Sequence, residues 1–108
     1  MMNFETTNSW IFLAIALASR DSPAKLSEIS MTADGIAHAI PTEREVQFSI
    51  WWLMAKRFVS KKGIRYRLTE EGKELYEKAC LVSDNVSEIW NALSQESSMQ
   101  GLRGPSKK

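Results

Sequence analysis

The chain reads as a mostly α domain with a small β-hairpin and an added long C-terminal helix. Three observations predict this. Apolar residues recur at helical spacing up to about Lys56 and again after Thr69. The segment between them, "RFVSKKGIRYRLT", alternates apolar and polar residues around a glycine, the signature of two short strands and a tight turn. Helix-start signals stand where each helix would begin. At 108 residues, 44% hydrophobic and 25% charged, the chain suits one soluble domain with a single core.

The first helix is expected from about Asn8 to Ser19, with Asn8 or Ser9 as its cap. "WIFLAIALAS" is apolar nearly all round, so this helix belongs in the middle of the core. The same run resembles the apolar part of a secretory leader, but "MMNFETTNS" before it has no Lys or Arg and contains Glu5. It is also shorter than the ~20 apolar residues a membrane span needs. "RDSP" then stops it, and Ser22 with Pro23 is expected to open the second helix. Leu26, Ile29, Ala33, Ile36 and Ile40 form its single stripe, ended by Pro41.

"TERE" (Thr42 to Glu45) is a capping box that starts the third helix, which should run to about Lys56. Val46, Ser49, Ile50 and Leu53 face inward. The hairpin follows, with Val59, Ile64, Tyr66 and Leu68 on its alternating pattern and Gly63 supplying a positive φ in the turn. Thr69 caps a last helix that begins with two glutamates, where the macrodipole favours them. Leu75, Ala79, Val82, Val86, Ile89 and Leu93 continue at heptad spacing. They predict one helix over about residues 70–97, the alternative being a break at "SDN" (Ser83 to Asn85). Residues 1–97 thus form the domain, and residues 98–108 read as a loose tail.

The order helix, helix, helix, hairpin, helix is that of a winged helix-turn-helix domain. "FVSKKGIRYRLTEEGKELYEKA" resembles the wing and following helix of MarR- and PadR-type regulators, with a hydrophobic pair, a basic turn and "YRLTEEG". The resemblance covers roughly residues 10–79. It speaks more for the fold than for function, because this scaffold serves DNA binding, protein contacts and oligomerisation alike. It implies that the third helix enters the major groove of double-stranded DNA while the hairpin follows the phosphates.

Charge is distributed to match. The net charge is only +1, yet no acid occurs between Val46 and Thr69, and that stretch holds six of the 14 basic residues. Lys61, Lys62, Arg65 and Arg67 on the hairpin are the candidate phosphate contacts. The alternative is a solvated hairpin whose edge lysines discourage aggregation. Arg44 and Gln47 are the best candidates for base contacts.

The rest of the third helix fits base reading less well. Phe48, Trp51 and Trp52 are expected on its outward face, beside Arg44. Each such ring buries about 150–250 Å², and covering all three is worth on the order of 10 kcal/mol as an upper estimate. The cover is the same chain's C-terminal helix with Trp90, that helix from a second subunit, or another protein. A homodimer is favoured, with Val86, Ile89, Trp90 and Leu93 joining the aromatics at the interface, since the heptad seam also asks for a partner and two-fold dimers are the commonest oligomers. The competing function is therefore an assembly module that uses the aromatic face instead of DNA.

Other chemistry finds little support. One Cys and one His do not make a structural zinc site, and a lone Cys80 in a chain without disulfides suits a reducing cytoplasm. Cys80 reads as a packing residue and His38 as a surface one. No glycine-rich phosphate loop, nucleophile triad or paired-carboxylate site stands out, so neither an enzyme nor a cofactor is expected.

Overall fold

Helix α1 (Phe4–Ala18) is the axis of the molecule. Trp10 through Ala16 are all buried, as a helix apolar on every side must be. The computed structural model describes residues 4–96 and Met99. After α1 come strand β1 (Ala24–Lys25), helices α2 (Leu26–Ala37) and α3 (Glu43–Ala55), strands β2 (Val59–Lys62) and β3 (Arg65–Leu68), then helices α4 (Glu70–Cys80) and α5 (Val86–Gln95). The architecture is thus mostly helical with a small antiparallel sheet. Helices α2, α3 and α5 pack around α1, and β3 and α4 also touch it.

Two tryptophans fasten neighbours to this axis. Trp10 donates its indole N–H to the Ala33 carbonyl of α2 at 2.8 Å. Trp90 of α5 donates to the Thr6 carbonyl at 3.0 Å, and the two indoles lie 6.1 Å apart. Asn8 and Ser9 are inside α1 rather than at its start, because the helix begins near Phe4. The Ser9 hydroxyl bonds the Ser94 hydroxyl at 2.6 Å, whereas the fully buried Asn8 amide has no hydrogen-bond partner among the described residues. An unpartnered buried amide costs about 1–3 kcal/mol.

The entry to α2 also differs from expectation. Ser22 and Pro23 precede a strand, not a helix. Ala24 and Lys25 pair with Tyr66 and Arg65, so the sheet has three strands in the order β1-β3-β2. Helix α2 starts one residue later, where the Lys25 amide donates to the Glu28 carboxylate at 2.8 Å. It ends at Ala37, with His38 in the left-handed region at φ 56°, and Ile40 is left exposed beyond it.

The capping box on α3 is present in full: Glu45 N–H donates to the Thr42 hydroxyl at 3.0 Å, and Thr42 N–H to the Glu45 carboxylate at 2.9 Å. Val46, Ser49, Ile50 and Leu53 are buried as expected. The helix closes on Arg57 at φ 68°. Phe58 N–H reaches back to the Leu53 carbonyl and Arg57 N–H to that of Met54, the two bonds of a Schellman motif. In the hairpin, Lys62 pairs with Arg65 around Gly63 and Ile64. Gly63 has φ +63° and Ile64 does not enter the left-handed region, the pattern of a type II′ turn.

The predicted single C-terminal helix is two helices. Leu81 to Asn85 interrupts it, because Ser83 and Asn85 offer the backbone other partners. Asn85 N–H donates to the Ser83 hydroxyl at 2.9 Å, and the Asn85 side chain caps α5 by accepting from Ser87 N–H at 2.8 Å. Leu75, Ala79, Ile89 and Leu93 are buried against the core while Val82 is exposed and Val86 partly so. The heptad spacing therefore records two helices lying on one core. Of the predicted tail, Met99 is described and is fully buried, while the other residues of 98–108 fall outside the described set.

Candidate nucleic-acid interface

Residues opposite one another across an antiparallel ladder share a face, and successive residues alternate. The register Lys25↔Arg65 and Lys62↔Arg65 thus places Lys25, Arg65 and Lys62 in one row across all three strands. Ser60 and Arg67 follow on the same face. Ala24, Tyr66, Val59 and Leu68 take the opposite face, where Ala24, Val59 and Leu68 are buried. The outer face of the sheet is basic because the inner face is core.

The predicted hairpin cations divide accordingly. Lys62, Arg65 and Arg67 share the outer face; Lys61 is opposite Tyr66, with its ammonium 5.9 Å from the ring centre. Arg65 is committed within the chain: it donates to the Pro23 carbonyl at 3.2 Å and lies 3.8 Å from the Glu28 carboxylate. Lys61, Lys62 and Arg67 are exposed. Lys25, which sequence reasoning missed, is exposed and completes the row. A strand of two residues leaves no periodicity to find, and the proline before it reads more readily as a helix start.

On α3, Arg44 and Gln47 are exposed in the first half of the helix, and the Gln47 amide makes a long 3.4 Å contact to Glu43. Phe48 and Trp51 are 44% and 64% exposed, with ring centres 5.9 Å apart. Trp52 is a correction: it is 6% exposed, and Lys56 lies over it at 5.6 Å. On a helix, Trp52 sits about 60° from Ser49, and an indole is long enough to fold down from that flank onto the body of the domain. The exposed aromatic area therefore falls to roughly 250 Å², no more than an ordinary monomer shows.

Ile89 and Leu93, expected at a subunit interface, are buried within the chain, and Trp90 is half-buried against Trp10. Val86 stays partly exposed, and Leu81 and Val82 are more so. Among the described residues no set of three or more His, Cys, Asp or Glu is placed to hold a metal ion, and no helix is long and apolar enough to cross a membrane. Comparison with protein-family models, with curated proteins and with solved structures returns no match.

Proposed function

We propose that the chain is a winged helix-turn-helix protein that binds duplex DNA as a homodimer and acts as a transcriptional regulator. The order α1, β1, α2, α3, β2, β3, with β3 between the other two strands, supports the fold. The observation that carries the function is the cross-strand row Lys25, Arg65, Lys62. Like charges placed directly opposite one another destabilise a sheet, and Glu28 offsets only one of the three. A phosphate backbone along that face removes the remaining repulsion. In this reading Lys25, Lys62 and Arg67, with Lys61 at the edge, hold phosphates, and Arg44 and Gln47 reach base edges from α3. The exposed apolar residues Leu81, Val82 and Val86, at the break between α4 and α5 and the start of α5, supply a contact between subunits.

Four phosphate contacts give a salt slope of about −3.6 per protomer. A homodimer makes eight such contacts, a slope of about −7, so raising salt from about 50 to 200 mM weakens its duplex binding on the order of 10,000-fold. Lys25→Gln with Lys62→Gln lowers that slope by about 2 per protomer, about 4 for the dimer. Fluorescence anisotropy on a labelled duplex measures both. Absence of binding at low salt, or a slope the double variant leaves unchanged, overturns the reading.

The Phe48–Trp51 pair favours a second reading, an assembly module whose α3 face packs against a second copy. It predicts that Phe48→Ser with Trp51→Ser lowers the sedimentation coefficient from dimer to monomer. The DNA reading, which puts no subunit contact on this face, predicts an unchanged profile.

A further inference from the structure

A cleft of about 320 Å³ opens between the end of α1, the loop leading to β1, strand β3 and helix α4. Its polar walls carry Arg20, Arg67 and Lys73, against a single lining acid, Asp21. Arg20 and Arg67 are in no ion pair among the described residues. Lys73 has only a solvent-exposed contact to Glu70 at 3.9 Å, of the kind worth little. The floor is apolar: Ala16 and Leu68 are buried, and the half-buried Tyr76 ring flanks them. Three cations around an apolar floor are what an anion with an organic substituent requires, and the volume lies at the small end of ligand pockets.

We propose that this cleft binds a small phosphate monoester. Arg20, Arg67 and Lys73 take the phosphate, and Ala16, Leu68 and Tyr76 take the organic group. The lining charges sum to +2 with Asp21 counted, which balances a dianion. Burial holds the Tyr76 hydroxyl above its ordinary pKa, the Cys80 thiol pushes the same way, and Arg20 pulls it back. The phenol therefore stays protonated at neutral pH and remains a donor. The site does not depend on DNA binding, although Arg67 also belongs to the basic sheet face.

Phenyl phosphate is the probe, compared with inorganic phosphate and with phenol, and amide chemical shifts of the full chain locate each. Phenyl phosphate is expected to bind about tenfold tighter than either, with shifts at Arg20, Arg67 and Lys73. Loss of two charge-assisted bonds in Arg20→Gln with Lys73→Gln weakens it at least about tenfold. Lys73→Gln alone, at an exposed side chain, gives an intermediate loss and serves if the double variant does not fold. The proposal is overturned if phenyl phosphate does not bind, if phosphate or phenol binds as tightly, if the shifts map to Lys61 and Lys62 instead, or if the variants bind as the parent does.

Discussion

Trp10→Ala is expected to lower the free energy of unfolding by about 3–5 kcal/mol, a large share of the ~5–15 kcal/mol that holds a domain of this kind. The indole is 2% exposed, lies against Trp90 and bonds the Ala33 carbonyl. Truncation empties the space between α1, α2 and α5 together and removes the indole bond to the Ala33 carbonyl, which then keeps only its helical partner. Trp10→Phe separates the two contributions. It keeps most of the ring volume and should cost less, about 1–3 kcal/mol, for the lost indole bond and the smaller ring. Urea denaturation of the three proteins measures both steps. A loss under about 1 kcal/mol for Trp10→Ala would mean that α1 is not fastened through this residue.

Gly72→Ala is the second large effect, and its sign is the test. On helix propensity alone, alanine should stabilise α4 by about 1 kcal/mol. But a Cβ at Gly72 would stand 2.1 Å from the Phe58 carbonyl oxygen and 3.3 Å from the Leu68 Cβ. The oxygen is main chain and already accepts Thr69 N–H at 3.0 Å, so it has little room to retreat. A net loss of about 1–3 kcal/mol is expected. Gly35→Ala in α2 is the control: its added Cβ meets nothing within 4 Å, and stability should rise by up to about 1 kcal/mol. If both variants gain stability in the same denaturation assay, the close approach of α4 to the hairpin is wrong.

Gly72 also shows what the sequence made legible and what it did not. "TEEG" reads from sequence as a cap and two helix-start carboxylates, and Thr69 does accept from Gly72 N–H at 3.0 Å. The reason for glycine lies 14 positions away, at Phe58, and no local pattern contains it. The same division holds elsewhere. The capping box on α3, the inward stripe of that helix and the turn at Gly63 are local, and each was readable. Trp52 was not, because a side chain on the flank of a helix is buried or exposed by whatever packs beside it. The heptad seam misled for a related reason: periodicity reports which residues face a core, and α4 and α5 face the same one across a break. Of the basic site, the hairpin cations were visible as a run. Their sharing of a face with Lys25, and the commitment of Arg65 to Glu28 and Pro23, follow from a strand pairing that spans 40 residues of sequence.

The joint between α3 and β2 has a further consequence. The bonds that reverse the chain at Arg57 and Phe58 run from main chain to main chain, so the direction in which the hairpin leaves the helix does not depend on which side chains α3 displays outward. Aromatic residues at positions 48 and 51 and cations on the sheet are therefore free to change along separate histories. A descendant of this chain could change its α3 surface while keeping the hairpin aimed as it is, which makes the fold a ready parent for diversification at one helix.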